Sequence, residues 1–212
     1  MKRLVVLDVD STMIEQEVIE LLAAKVGLED QVKLLTDQAM AGEIDFRQAL
    51  EMRVKLLAGL DSKVFAELQS QIRVTEGVHE LIESVHSAGG KIGAISGGFS
   101  QVLSPLAESL GLDCYLANKL DIENGLLTGK ISGEVVDAEL KARTLIRWAH
   151  EFGIEIAGTV AVGDGANDIQ MLQAAGFAVA FRPKEVLREH ADFIIEGDSL
   201  KPLVEKLSLS SS

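Results

Sequence analysis

The feature that most constrains this chain is a short apolar run that ends in two aspartates one residue apart. Residues 4–7 are all apolar, and Asp8 and Asp10 follow at once. Such a run predicts a buried strand of a parallel sheet, and ligands bind at the carboxyl ends of such strands. Because two close carboxylates repel each other, a divalent cation and hydrogen-bond donors must offset their charge. The alternative is an Asx-type turn that only closes the strand.

Two further apolar runs end in residues suited to binding an anion or a metal ion. The runs cover 92–95 and 158–162, and each leads into a glycine-containing polar segment. The polar residues are Ser96, Gly97 and Gly98 in the first case and Asp164, Asn167 and Asp168 in the second. Hydroxyl and backbone N–H groups before a helix predict a cradle for an anion. Since the carboxyl ends of parallel strands meet at one edge of a sheet, we predict one shared site there.

The region between the first two predicted strands is too long to be a simple connection. A crossover between parallel strands needs only about a dozen residues, whereas the helical part of this region, 14–74, alone has roughly sixty. Apolar residues at helical spacing predict four helices there, over 17–26, 29–40, 45–57 and 61–72, with breaks at Gly27, Gly42 and Gly59. We therefore predict a core of residues 1–13 and 75–207, an inserted all-helical cap over 14–74, and a disordered tail over 208–212.

After residue 77 the chain alternates between helical and strand patterns, which predicts an α/β core with a Rossmann-like parallel sheet. Helices are predicted over 78–88, 99–110, 138–152 and 169–175. Strands are predicted over 91–95, 113–117, 158–162, 178–181 and 192–195. The dipeptide Asn124-Gly125 predicts a β-hairpin within 118–136.

Charge and hydropathy narrow the range of partners. The net charge of −13 argues against nucleic acid or an anionic membrane surface as a partner. No apolar stretch approaches the roughly 20 residues needed to span a bilayer. The first strand begins so early that no room is expected for a signal peptide. The single cysteine, Cys114, lies among apolar residues and predicts a buried thiol without a disulfide. We expect a cytoplasmic monomer or homodimer that acts on a small molecule.

The order and placement of these polar segments resemble the haloacid dehalogenase superfamily of phosphatases, which use an aspartate nucleophile. Residues 8–12 resemble the first motif of that family, 96–98 the second, Lys141 the third and 163–168 the fourth. Taken alone, Lys141 is typical of a solvated lysine on a helix. The resemblance covers nearly the whole chain apart from its Ser-rich end, and it implies the haloacid dehalogenase-like core with an inserted cap.

The resemblance implies a role for each motif residue. Asp8 would be the nucleophile that forms an aspartyl-phosphate, and Asp10 would be the general acid and base. The metal ion would be Mg²⁺, held by Asp8, the backbone carbonyl of Asp10, and Asp164. Asp168 would orient Lys141 or a metal-bound water. The phosphate-binding residues implied are Ser96, Gly97, Gly98 and Lys141.

Residues in and beside the cap imply the substrate. Glu17 matches the position that contacts the substrate ammonium in the resembling phosphatases, and Arg53 matches the position that contacts the α-carboxylate. Phe46 and Met52 would either supply apolar walls or pack in the core, and Asn167 would contact the phosphate or the substrate. The implied reaction is hydrolysis of O-phospho-L-serine, the last step of serine biosynthesis. Without the resemblance, Glu17 and Arg53 would be interpreted as ordinary surface charges.

Two other functions would use similar residues. A related phosphatase, or a phosphotransferase that passes the phosphoryl group to an alcohol such as homoserine, would share every core residue. A receiver domain also gathers aspartates, a hydroxyl residue and a lysine around Mg²⁺. Its phospho-acceptor follows a middle strand, however, and a long helical insert after the first strand is not expected there.

Overall fold

The computed structural model describes residues 2–41 and 43–209, and these residues build one seven-stranded sheet with helices around it. The strands are β1 (Leu4–Leu7), β2 (Lys91–Phe99), β3 (Cys114–Glu123), β4 (Leu126–Ser132), β5 (Thr159–Gly163), β6 (Phe177–Phe181) and β7 (Phe193–Ile195). Their order is β4-β3-β2-β1-β5-β6-β7, and every pair is parallel except β3 with β4. The predicted α/β class with a mostly parallel sheet is therefore confirmed.

Five helices lie between β1 and β2, of which four fall within residues 14–74, as predicted, and the others follow β2 or later strands. They are α1 (Val18–Ala24), α2 (Glu29–Met40), α3 (Phe46–Lys55), α4 (Val64–Gln69), α5 (Val78–Ser87), α6 (Ser100–Leu110), α7 (Ala138–Glu151), α8 (Ile169–Ala174), α9 (Glu185–Arg188) and α10 (Lys201–Leu209). Aspartate side chains cap the starts of α3 and α7, where Asp45 and Asp137 accept hydrogen bonds from backbone N–H groups. Among the described helices, none is both long and apolar enough to cross a membrane.

The central strand β1 places the first aspartate at the middle of the sheet. It pairs with β2 on one side and β5 on the other, and all four of its side chains are buried. Val5 and Leu7 pack in the cluster that includes α5 and α10, while Leu4 and Val6 pack against α7 and α8. This alternation, with both faces covered by helices, explains why the strand is apolar throughout.

Several element boundaries differ from the prediction. Strand β2 does not end at Ile95 but continues to Phe99, which pairs with Asn118 of β3 after an irregularity in the register. Strand β3 is one long strand, and its second half forms the predicted hairpin with β4. The hairpin turn at Asn124 and Gly125 has positive φ at both residues, as a two-residue turn of this kind requires.

The carboxyl-terminal prediction was wrong in part. The backbone of residues 208 and 209 continues α10 instead of being disordered, whereas 210–212 lie outside the described residues, as does the predicted break at Gly42. Helix α10 follows from three leucines at helical spacing, which are Leu200, Leu203 and Leu207, all buried in the core. Helix α9 was also not predicted. Cys114 is half-buried, not fully buried as predicted.

The segment 14–74, here called the helical insert, is attached to the rest of the chain in two ways. Its ends run side by side, with Ile14 bridging Val74. Its loop between α3 and α4 also pairs with the hairpin tip, because Gly59 N–H donates to Leu127 O at 2.8 Å and Leu127 N–H donates to Leu60 O at 2.9 Å. The hairpin therefore supports the insert from the side of the sheet.

Candidate active site

Three neighbouring strands bring the predicted polar segments together. Asp8 follows β1, Ser96 lies near the end of β2, and Asp164 follows β5, so all three sit at the carboxyl edge of the sheet. All three are buried, with at most 3% of each exposed. The backbone N–H of Asp8 donates to Val162 O at 2.8 Å, which continues the β1–β5 pairing to the aspartate itself.

Lys141 lies at the centre of the buried acids. It is on the first turn of α7 and fully buried, and its Nζ donates to Asp8 Oδ1 at 2.5 Å and to Asp168 Oδ1 at 2.7 Å. The two carboxylates outweigh the effect of burial and raise the pKa of Lys141 above its usual value. An ammonium has three N–H donors, so one remains for a ligand. The alternative of a solvated lysine is wrong.

Asp168 is held rigidly in place. Its second oxygen accepts from the backbone N–H groups of Asp164 at 3.1 Å and Gly165 at 3.4 Å. The Asp168 side chain packs closely against the end of β5. A Cβ on Gly163 would lie 2.4 Å from Asp168 Cγ, so this position requires a glycine. Both Asp168 oxygens are therefore engaged, and its position supports the predicted role of orienting Lys141.

The buried acids could hold a metal ion. Asp8, Asp164 and Asp168 each offer an oxygen, and these oxygens lie within 4.8 Å of one another. Asp164 Oδ1 is buried without a hydrogen-bond partner among the described protein atoms. A buried carboxylate oxygen without a partner is costly, so a cation bound there would satisfy it. Since Asp168 is already engaged, Asp8 and Asp164 are the better candidates for ligands.

Burial controls the protonation of these acids. Burial and the Asp168 carboxylate raise the pKa of Asp8 to about 7, against the opposing effect of Lys141. Burial and the Asp8 and Asp168 charges likewise raise the pKa of Asp164. Burial and then Glu17 and Asp8 raise the pKa of Asp10 well above its ordinary value. A bound cation would oppose this rise in the pKa of its own carboxylate ligands.

A narrow cavity lies between the sheet edge and the helical insert. Its wall contains Asp8, Asp10, Ser96, Gly97, Gly98 and Asn167 from the core side and Glu17, Phe46 and Arg53 from the insert. Its volume is about 30 Å³, room for about two water molecules. Phe46 closes one side, because a Cβ on Gly97 would lie only 2.6 Å from Phe46 Cζ.

The two predicted substrate contacts face this cavity with opposite charges. Ser11 Oγ donates to Glu17 Oε1 at 2.7 Å, and burial raises the pKa of Glu17 despite that hydrogen bond. Arg53 is only 4% exposed, and burial lowers its pKa while the Glu17 and Asp10 charges oppose the change. Met52, in contrast, is 48% exposed, so the prediction that it forms an apolar wall was wrong.

Some predicted site residues are placed differently from the expectation, and one polar residue of the narrow cavity's wall was missed. Gly98 N–H donates to Ser96 Oγ at 2.8 Å, so it is not a free donor for an anion as predicted. Lys141 donates to Asp8 and is not among the residues that line the narrow cavity. Thr36 of α2 lines the cavity but was not singled out. The signal was a hydroxyl on the buried face of α2, between Val32 and Ala39.

A second, wider cavity adjoins the first. Its volume is about 430 Å³, and Glu17 and Thr36 belong to the walls of both cavities. Asp164 and Lys184 also line it. Lys184 pairs with Asp37 of α2 at 3.4 Å, and its backbone N–H donates to Asp164 O at 2.8 Å. The wide cavity therefore leads from the surface of α2 towards the acids.

Comparison with known proteins gives consistent matches. A family model for haloacid dehalogenase-like hydrolases matches residues 5–173. A phosphoserine phosphatase of Streptomyces coelicolor is 52% identical over 99% of this chain, which spans only 51% of that protein's length. A phosphoserine phosphatase of Lactococcus lactis is 44% identical, over 96% of this chain and 94% of that protein. A solved phospho-aspartyl intermediate analogue of a phosphoserine phosphatase is 39% identical, with a TM-score of 0.94 over 97% of this chain and 98% of that one.

Proposed function

Since this chain belongs to the haloacid dehalogenase-like hydrolase family, we propose that it hydrolyses O-phospho-L-serine to L-serine and phosphate. The observation that carries the proposal is the cavity wall, which Glu17 and Arg53 share with Asp8 and Asp10. An acid and a guanidinium suit the ammonium and carboxylate of an amino acid, while the aspartates suit phosphoryl transfer. The similarity to phosphoserine phosphatases supports the same substrate.

Asp8 acts as the nucleophile in this proposal. One of its carboxylate oxygens attacks phosphorus, and the bond from phosphorus to the seryl oxygen breaks as Asp10 donates its proton to that oxygen. Water then attacks phosphorus while Asp10 takes one of its protons, and the bond from phosphorus to the Asp8 oxygen breaks. This step releases phosphate and restores the Asp8 carboxylate and the protonated Asp10. The raised pKa of Asp10 supports its first role as an acid.

Donors around the phosphate stabilise the charge of the transition state. Because Ser96 Oγ accepts from Gly98 N–H, its own proton is free to donate to a phosphate oxygen. Gly98 thus acts by orienting Ser96, and the N–H of Gly97 and the third proton of Lys141 are the further donors. Mg²⁺, held by Asp8, Asp164 and the Asp10 carbonyl, would neutralise phosphate charge when bound.

The helical insert acts as a cap in this proposal. A cavity of about 30 Å³ is too small for phosphoserine, so the insert must move for substrate to enter and must close to exclude water. Phe46, Arg53 and Glu17 would then close over the substrate, with Asn167 at its phosphate. The domain boundaries, the cytoplasmic location and the monomer or homodimer state remain predictions.

A panel of small phosphoesters assayed with Mg²⁺ tests the proposal. We expect phosphoserine to give the highest kcat/KM. We expect Asp8→Asn to release no phosphate, although its cooperative unfolding in urea should show that it is folded. A clear preference for another phosphoester would overturn the substrate assignment. Homoserine added as an acceptor distinguishes a phosphotransferase, which would produce a new phosphoester instead of free phosphate. Stable phosphorylation without turnover would favour a receiver domain.

A further inference from the structure

Thr36 is hydrogen-bonded in a way that fixes the direction of its hydroxyl. It lies on α2, is 4% exposed, and its Oγ1 donates to Val32 O at 3.0 Å. Arg53 Nη1 donates to the same oxygen at 2.8 Å. A hydroxyl has one proton and two lone pairs. Since the proton is directed to Val32, a lone pair is directed to the guanidinium.

Arg53 is held at two of its three nitrogens. Besides Nη1, its Nε donates to Ala49 O at 3.1 Å, within its own helix. A guanidinium has five N–H groups, so the Nη2 protons and the second Nη1 proton remain for a ligand. The Nε side of the guanidinium is occupied, so the end formed by Nη1 and Nη2 is the one that can bind a carboxylate.

We propose that Thr36 is a positioning residue that sets the specificity of this site for substrates with a carboxylate. It acts through Arg53, because it orients the Nη1–Nη2 end of the guanidinium towards the cavity. The inference rests on the proposed function and deepens it, since it names the residue on α2 that makes the guanidinium selective.

A role in packing alone does not explain this arrangement. Val32 and Ala39 supply the apolar contacts on the same face of α2, and a valine would fill the space of Thr36 equally well. Helix α2 is tied to the core by the next residue, since Asp37 pairs with Lys184. What a valine would lack is the acceptor for Arg53, whose buried Nη1 would then lose its partner.

The test uses two substitutions at one position and a matched control. Thr36→Val removes the hydroxyl and keeps the shape, while Thr36→Ser keeps the hydroxyl. Thr159→Val is the control, because Thr159 is equally buried and its hydroxyl also donates one hydrogen bond and accepts one. Thr159 lies at the start of β5, at the end of the strand away from the site.

Each protein is assayed with phosphoserine and with O-phosphoethanolamine, which has the phosphate and ammonium but no carboxylate. We expect Thr36→Val to lower kcat/KM for phosphoserine about 10- to 100-fold, as displacement of a binding group does, mostly through KM. The value for phosphoethanolamine should change less than about twofold. Thr36→Ser should restore most of the preference, and Thr159→Val should keep it.

The outcomes separate this inference from the proposed function. If the unsubstituted protein does not prefer phosphoserine over phosphoethanolamine, the proposed substrate is wrong whatever Thr36 does. If it does prefer phosphoserine and Thr36→Val keeps that preference, or if both substrates lose activity equally, the positioning role is wrong. Failure of Thr36→Ser to restore the preference would also contradict it.

Discussion

Removal of the Arg53 side chain gives the most direct test of which substrate this cavity selects. In Arg53→Ala the phosphate donors and Glu17 remain, so only the carboxylate loses its partner. A hydrogen bond between charged groups contributes about 1.5–3 kcal/mol, which corresponds to roughly a 10- to 150-fold change in kcat/KM. Three N–H groups of Arg53 remain after its bonds to Thr36 and Ala49, so a second hydrogen bond would bring the loss to the upper end of that range.

The assay measures phosphate release from phosphoserine and from phosphoethanolamine by the same preparation. We expect the loss to be confined to phosphoserine, which would reduce the ratio of the two kcat/KM values by that factor. Arg53→Lys should recover only part of the ratio, because an ammonium cannot present two N–H groups in a fixed fork. Equal losses on both substrates would mean that Arg53 supports the insert or the phosphate, and would refute the assignment.

A second arginine on α3 provides a control for the effect of removing a positive charge from that helix. Arg47 of α3 pairs with Asp137 at 2.7 Å and does not belong to the cavity wall. Arg47→Ala therefore removes an identical side chain from α3 and should leave the ratio of the two substrates unchanged. Because Arg53 is buried and close to Glu17, Arg53→Ala should also unfold at a lower urea concentration, so the assays are made well below both midpoints.

Three further outcomes are expected. Asp10→Asn should slow hydrolysis of phosphoserine far more than hydrolysis of p-nitrophenyl phosphate, because p-nitrophenol leaves without a proton. Equal slowing of the two reactions would exclude Asp10 as the acid. Mg²⁺ at about 100 times its Kd should stabilise the fold by about 2.7 kcal/mol, which thermal unfolding measures as a higher Tm. Asp164→Asn should reduce this increase in Tm. An equal increase in the unsubstituted protein and in Asp164→Asn would exclude Asp164 as a ligand. Burial tends to raise the pKa of Asp137, but the hydrogen bond from Arg47 outweighs it and lowers that pKa. The ion pair therefore stabilises the fold fully above the unfolded pKa of about 3.9. This stabilisation is lost as the pH falls through the lower pKa of the folded state. Asp137→Asn keeps the helix cap but should cost about 0.5 kcal/mol at neutral pH, and urea unfolding should show that cost disappearing towards pH 3; a cost independent of pH would contradict the ion-pair explanation.

The parts of the site that the sequence could predict are those that depend on strand ends. Asp8, Ser96 and Asp164 follow three apolar runs, and the rule that parallel strands end at one edge places them together. The family resemblance was needed for Lys141, since the helical pattern around it does not show that the ammonium is fully buried between two acids.

The parts that could not be predicted depend on contacts between elements distant in the sequence. The Thr36 hydroxyl matters because α2 packs against α3 and brings it to Arg53, 17 residues away. The engagement of Gly98 N–H by Ser96 depends on β2 continuing to Phe99, where the apolar pattern suggested that the strand had ended. Met52 was mistaken for a wall residue because the side of α3 that faces the cavity is set by packing and not by composition.

The pairing of the hairpin tip with the loop between α3 and α4 has a consequence for how this architecture can be recombined. Gly59 N–H donates to Leu127 O, Leu60 O accepts from Leu127 N–H, and Ser62 N–H donates to Gly125 O, so each residue has one main-chain hydrogen bond to the hairpin. A chimaera that received only residues 14–74 on a foreign core would leave those groups without partners. The transferable unit is therefore discontinuous in sequence, and an exchange of substrate selectivity between two such proteins should carry the β3–β4 hairpin together with the helices.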